Sequence, residues 1–326
     1  MRTYATALAI LSFILLGVAC SSEVDEGGGT LPPGIEDDLV PDVDYEVYLY
    51  FNPDAPVVVE RDRFLASDQE EVLTLGGEDQ VSITSVSMVA TSLEEFGGIL
   101  GFATTTDAAL AGNLLAQKPI EDPPTTSQVA TTTVQIIRGD AEWTTDLSSQ
   151  YGSAELVSLK ERNQQVWNML THLPVSEEEP PIAAGFISTG GNIIQEIADV
   201  AGIHVTGLDT AFGIVRVDNV AFGIYSDLPE SIPGEIDVEM LDTLDTGVVL
   251  VGGAGYAGVA VAFLVRSIAG KIGMETIDLE NTNARYLELE DGHLVLRNKG
   301  SLIYATVAGT KDRAEELMLS NRFEGV

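Results

Sequence analysis

The chain of 326 residues carries 51 acidic and 16 basic residues, a formal net charge of −35, and 45% of its residues are hydrophobic. That hydrophobic fraction suffices for a packed globular protein and excludes a wholly disordered one. So acidic a surface repels phosphate backbones, which argues against nucleic acid as a partner. Three histidines, His172, His204 and His293, lie far apart in the sequence, so their spacing predicts no histidine-based metal centre.

The first twenty residues have the pattern of an export signal. Met1-Arg2 is a short basic start, residues 4–18 are uncharged and mostly apolar, and small residues precede Cys20. The closing Leu16–Cys20 segment, Leu-Gly-Val-Ala-Cys, resembles the lipobox of bacterial lipoproteins. In that family the cysteine is diacylated and becomes the first mature residue, which implies a signal peptide at 1–19 and lipidation, palmitate included, at Cys20. An ordinary cleaved signal that ends near Cys20 is the alternative.

This resemblance implies a place in the cell. Cys20 is the only cysteine of the chain, so it forms no internal disulfide. The protein is expected to be exported and held at the cell membrane or outer membrane, facing outside the cytoplasm. Its partner there is the membrane, through the lipid on Cys20.

Residues 20–45 predict an acidic, flexible tether. Residues 23–46 hold nine acidic side chains and no basic one, and they include the glycines 27–29 and the prolines 32–33. Asp42, Asp44 and Glu46 alternate as calcium ligands do. The glycine and the remaining ligands of an EF-hand loop are missing, so a solvated acidic run is the preferred interpretation.

From Val47 the chain alternates apolar residues between turn signals, which predicts strands at 47–51, 57–59 and 81–90. A strand–helix–hairpin unit then occurs three times. The copies are strand 98–102, helix 108–117 and hairpin 133–137/141–145; strand 183–188, helix 192–200 and hairpin 213–217/220–225; and strand 248–251, helix 257–269 and hairpin 285–289/293–297. The hairpins are predicted to turn at Gly139-Asp140, Asp218-Asn219 and Asp291-Gly292.

A long helix at 153–173 is predicted between the first two copies. Strand 302–307 and helix 310–319 follow the third copy, with Thr310 as the cap and Arg313, Glu315 and Glu316 on the outward face of the helix. The order from 98 to 188 is strand–helix–strand–strand–helix–strand, the ferredoxin-like order. The predicted fold class is therefore α+β, with repeated strand-helix-hairpin units that form two ferredoxin-like sandwiches with mainly antiparallel sheets. The predicted domains are 46–189 and 190–326.

Residues 246–265 carry no charge and are long enough to span a bilayer. Five glycines divide them, so a buried strand-turn-helix is the preferred interpretation over a membrane span. Gly253, Gly255 and Gly258 also match the glycine fingerprint of dinucleotide-binding folds. Too few residues follow for a doubly wound sheet, so close helix-on-sheet packing is preferred and no cofactor is predicted.

No catalytic motif stands out. The sequence lacks a Gly-x-Ser-x-Gly elbow, a His-Glu-x-x-His pair and a Ser-x-x-Lys motif. The predicted function is that of an exported, lipid-anchored envelope or surface lipoprotein with a non-catalytic role, either structural or in binding a protein or small ligand. A solute-binding lipoprotein of a transport system is the alternative, and an extracytoplasmic enzyme is a weaker one.

Overall fold

The computed structural model describes residues 31, 39–51, 83–92, 95–116, 125–153, 156–175, 181–188, 217–226, 246–254, 261–262, 265–266, 269–270, 273–289 and 292–321. In these ranges the strands are β1 Leu39–Val40, β2 Val47–Phe51, β3 Ile83–Ala90, β4 Phe96–Phe102, β5 Thr125–Ala130, β6 Thr133–Arg138, β7 Val157–Ser158, β8 Ala183–Ser188, β9 Val217–Ser226, β10 Thr246–Ala254, β11 Glu275–Leu279, β12 Thr282–Leu289, β13 Gly292–Lys299 and β14 Leu302–Ala308. The helices are α1 Thr105–Ala116, α2 Ala141–Ser153, α3 Leu159–Arg162, α4 Gln164–Leu170 and α5 Lys311–Ser320.

Twelve of these strands form one sheet, in the order β11-β12-β13-β14-β10-β9-β8-β2-β3-β4-β6-β5. All neighbouring strands are antiparallel. The prediction of two ferredoxin-like sandwiches is therefore wrong. β8, expected to complete a first sheet, is hydrogen-bonded to β2 on one side and to β9 on the other, so it joins both halves into a single sheet.

Two units with the same order of elements make up this sheet. β2, β3 and β4 form a meander, α1 follows, and the β5–β6 hairpin returns beside β4 before α2. In the same way β8, β9 and β10 form a meander, and β13–β14 returns beside β10 before α5. The two units meet where their first strands, β2 and β8, pair antiparallel. The second unit differs by two additional edge strands, β11 and β12.

Each unit packs its closing helix against a glycine in the third strand of its meander. A Cβ on Gly97 of β4 would overlap the side chain of Leu147 in α2, and a Cβ on Gly247 of β10 would overlap Leu317 in α5. Leu147 is 0% exposed and Leu317 is 2% exposed, so neither side chain has free space to move into. The glycines therefore let both helices approach the same face of the sheet.

Alternating side chains divide the core between the two faces of the sheet. Val249 and Val251 of β10 belong to the core cluster that includes buried residues of α2, α4 and α5. Val248 and Leu250 belong to a second cluster with Val261, Val265 and Ala269, and these three residues lie in helical turns of the predicted 257–269 helix. Helices therefore cover the sheet on both faces.

The uncharged 246–265 stretch begins as a strand in the middle of this sheet. β10 is hydrogen-bonded to β9 on one side and to β14 on the other. Across the described ranges, no helix is both long and apolar enough to cross a bilayer.

The hairpin predicted at Gly139-Asp140 is a strand followed by a helix. Asp140 Oδ1 accepts hydrogen bonds from the backbone N–H groups of Glu142 and Trp143, both at 2.9 Å. Asp140 therefore caps α2 rather than turning a hairpin. Trp143, Leu147 and Tyr151 then recur every fourth residue, which is the spacing of one helix face.

The prediction of one long helix at 153–173 is also wrong, because two N-caps divide the segment into α3 and α4. Ser158 accepts a hydrogen bond from Glu161 N and begins α3. Asn163 accepts one from Val166 N and begins α4. Each cap needs a non-helical backbone at its own position, so a single helix cannot run through both.

The turn predicted at Asp218-Asn219 is instead an irregularity inside β9. Val220 is opposite Gly252 of β10, whereas Val217 is opposite Ala254, so β9 holds one extra residue there. Other predicted elements are confirmed: strand 183–188 is β8, strand 302–307 lies within β14, and Thr310 caps the last helix. The helix at 192–200 lies outside the described residues.

Candidate functional site

The residues singled out by the sequence are only partly within the described structure. Cys20, Gly255 and Gly258 lie outside it. Gly253 is near the end of β10, where an added Cβ would lie 3.4 Å from Gln165 Nε2 and 3.6 Å from Met169 Sδ of α4. Both neighbours of β10 are antiparallel, whereas the dinucleotide fingerprint belongs to a parallel βαβ unit. Gly253 therefore lies in a packing contact with α4.

The best-defined polar site is where the predicted tether meets the folded body. Leu31 and residues 39–45 are called the strap here. β1 pairs with β7, with Leu39 opposite Ser158 and Val40 opposite Val157. Val40 is 1% exposed and belongs to the core on the α2 face of the sheet, and Leu31, Val43 and Tyr45 pack against that core while partly buried. The end of the predicted tether is thus docked on the body.

One arginine of α3 holds the strap at three points. Arg162 Nη1 forms a short ion pair with Asp42 Oδ1, and Nη2 donates a short hydrogen bond to the carbonyl of Val43. The guanidinium also lies 4.6 Å from the centre of the Tyr45 ring. The side chain of Arg162 is 19% exposed, but that of Asp42 is 67% exposed, so water screens the ion pair, while the hydrogen bond to the Val43 carbonyl is part-buried.

The neighbouring helix α2 contacts the strap from the other side. Gln150 Oε1 accepts a hydrogen bond from Asp42 N at 2.5 Å, and Gln150 Nε2 donates to Asp42 O at 3.4 Å. Trp143 Nε1 donates to Asp44 O at 3.5 Å. Trp143 and Gln150 are seven residues apart and lie on the same side of α2, so two turns of this helix follow the strap.

A pair of tyrosines lies beneath these contacts. Burial raises the pKa of Tyr151, and the nearby Tyr45 raises it further by Coulombic repulsion. Burial also raises the pKa of Tyr45, although Arg162 opposes this shift. Burial in the core thus disfavours the charged form of both phenols.

Asp42 is the first of the alternating acidic residues that the sequence predicts to form a solvated run. Its carboxylate is 67% exposed and forms an ion pair with Arg162. In the part of the chain that the structure describes, no group of three or more histidine, cysteine, aspartate or glutamate side chains is arranged to hold a metal ion.

The two described histidines make contacts within the fold. His172, 4% exposed, has Nδ1 3.2 Å from the hydroxyl of Tyr304, with the rings edge to face. His293 stacks on Tyr286, and its Nδ1 is 2.8 Å from the Tyr286 hydroxyl. Burial raises the pKa of Tyr304, against the opposing charge of Arg297. These pairs stabilise the side of the sheet that carries α5.

The burial of Arg313 in the last helix differs from the prediction. The sequence places it on the outer face of α5, yet it is 6% exposed. Its Nη1 lies 3.1 Å from Glu316 Oε2, one turn further along α5. The guanidinium thus reaches a surface carboxylate while the rest of the side chain is covered.

Comparison with known proteins identifies no family for the chain. No protein-family model matches the chain, and neither a curated protein nor a solved structure matches it.

The strap was missed from the sequence for a physical reason. Its acidic residues are typical of a solvated linker, although apolar side chains stand between or beside them at Leu39, Val40, Val43 and Tyr45. The partners, Gln150 and Arg162, are 108 and 120 residues away from Asp42. An arginine within a predicted helix gives no indication of which carboxylate it will pair with.

Proposed function

We propose that the chain is an exported lipoprotein that is anchored to a membrane through Cys20 and has a non-catalytic role, structural or in binding a protein or small ligand. The Leu16–Cys20 motif and the basic and apolar residues before it support the anchor. The observation that carries the proposal furthest is the strap, because it gives a chain that emerges from an anchor a defined attachment to the body. Such an attachment is of use to a domain held at a surface.

The solute-binding alternative is less well supported than the sequence alone suggested. It depended on two separate sandwiches with a ligand cleft between them. Twelve of the described strands, from both halves, belong to one sheet, in which β2 pairs with β8. We therefore keep a structural or interaction role as the proposal.

Cell fractionation of the full chain tests the anchor. The wild-type protein is expected in the membrane fraction and to incorporate an alkyne-labelled fatty acid. Cys20→Ser is expected to lose both the label and the membrane association, while the matched control Ser21→Ala keeps them. A Cys20→Ser variant that stays in the membrane fraction would contradict a lipid anchor at this residue.

A further inference from the structure

The docked strap changes how far the body can move from its anchor. Leu31 packs against the core of the body, and eleven residue steps separate it from Cys20. A chain spans at most about 3.3–3.6 Å for each residue, whatever its conformation. The docked protein therefore reaches at most about 40 Å from Cys20 to its first point of attachment.

An undocked strap would give a much longer connection. The first residue of the sheet itself is Val47, which begins β2 in the middle of the sheet. Cys20 and Val47 are 27 residue steps apart. If the strap left the body, the reach would rise to about 90 Å, more than double.

We propose that the strap is a tether-shortening device that keeps the body close to the lipid surface. The proposal depends on the lipid anchor at Cys20 proposed above. Its physical basis is the packing of Leu31 on the core, the contact set of Asp42 with Arg162 and Gln150, and the burial of Val40.

The negative charge of the body gives a way to measure how far the connecting chain lets the body move from the bilayer. The body is strongly acidic, so an anionic bilayer repels it and draws the connection towards its full length. At about 0.01 M salt the Debye length is about 30 Å, and this repulsion extends well beyond the headgroups. Under those conditions the distance between body and bilayer reports the length of free chain.

The experiment is neutron reflectometry on the full-length gene product, lipidated in a bacterial host and reconstituted in supported phosphatidylglycerol bilayers. The gap between the bilayer and the near edge of the wild-type protein layer should be at most about 40 Å at low salt. The variant Leu31→Asp/Val40→Asp/Arg162→Ala places carboxylates at the packed Leu31 and the buried Val40 and removes the arginine contacts, so it should release the whole strap. Its gap should widen, to at most about 90 Å.

Lys160→Ala is the matched control, because it removes one positive charge from the same helix while Lys160 lies over Trp167, 4.2 Å from the ring centre. This control should keep the wild-type distance. A wild-type gap of about 90 Å would overturn the proposal, and so would an unchanged gap in a folded triple variant.

Two further measurements distinguish a failure of folding, or of anchoring, from a failure of the proposal. If Leu31→Asp/Val40→Asp/Arg162→Ala does not fold by circular dichroism, deletion of residues 27–29 from the wild-type chain replaces it: the gap should fall from at most about 40 Å to at most about 30 Å. A gap that falls from about 90 Å to about 80 Å would show an undocked strap and contradict the proposal. Protein that washes off the bilayer would refute the lipid anchor instead, a different failure from an anchored layer at the wrong height.

Discussion

The two units of the sheet pack their closing helices in the same way, but the closing helix of the first unit has additional contacts with the strap. Both place a glycine of the third meander strand under a buried leucine of the closing helix, Gly97 under Leu147 and Gly247 under Leu317. Only α2 is also contacted by the strap, through Trp143 and Gln150. The comparison teaches that the sheet–helix contact belongs to the repeated unit, whereas the strap belongs to the anchored end of the chain.

The largest expected effect comes from filling the space at these glycines. Gly97→Ala and Gly247→Ala should each lower the free energy of unfolding by about 2 kcal/mol, because the added methyl group overlaps a leucine without room to move. Urea unfolding measures the change. Gly253→Ala is the control on β10, since its nearest neighbour would be at an ordinary 3.4 Å.

A double-mutant cycle sharpens this prediction. Leu147→Ala alone should cost about 3 kcal/mol, as large-to-small substitutions in a core do. In that background Gly97→Ala should cost clearly less than it does alone, because the methyl group then enters vacated space. Additive costs would show that Gly97 and Leu147 do not compete for the same volume.

Removal of the strap's arginine should have a smaller effect. Arg162→Ala is expected to lower the free energy of unfolding by about 1 kcal/mol, because it deletes a part-buried hydrogen bond to the Val43 carbonyl and an ion pair with Asp42 that water screens. Arg162→Lys should recover only part of this, since one ammonium cannot repeat the fork that joins two oxygens. Full recovery by lysine would mean that charge alone matters here.

Alkaline pH should weaken the α2 side of the fold. Burial raises the pKa of Tyr151 above that of a free tyrosine, whose pKa is 10.0. In the unfolded chain the phenol loses its proton first, so the stability that this shift contributes is complete below pH 10 and falls as the pH rises further. Tyr151→Phe should flatten the decline in urea midpoint above pH 10; an unchanged slope would assign the decline to other groups.

Local sequence signals predicted the regular elements of this fold better than their assembly. β8, β14 and the Thr310 cap follow from apolar runs and capping chemistry within a few residues. The sequence does not separate the two units correctly, because Asp140 can begin a helix as well as a turn, and the sequence predicts a strand at 141–145 where α2 begins. Its Trp143, Leu147 and Tyr151 spacing was the signal that could have identified α2.

The contacts of the candidate site could not be predicted from local sequence patterns. Acidic residues next to Val40 and Tyr45 have the composition of a linker, and their docking depends on Arg162 and Gln150, which only the complete fold brings to them. The order of the strands has the same origin: the pairing of β2 with β8 joins residues more than 130 positions apart. Long-range pairing of this kind depends on tertiary packing rather than on propensity.

The most direct test of the central claim is native-state hydrogen exchange of residues 39–45 in the full-length protein. If the strap is docked, the amide of Asp42, which donates to Gln150, and those of β1 should exchange far more slowly than in an isolated peptide of the same sequence. Arg162→Ala should make these amides exchange faster, while Lys160→Ala should leave their exchange rates unchanged. Exchange of residues 39–45 at the rate of the free peptide would contradict a docked strap.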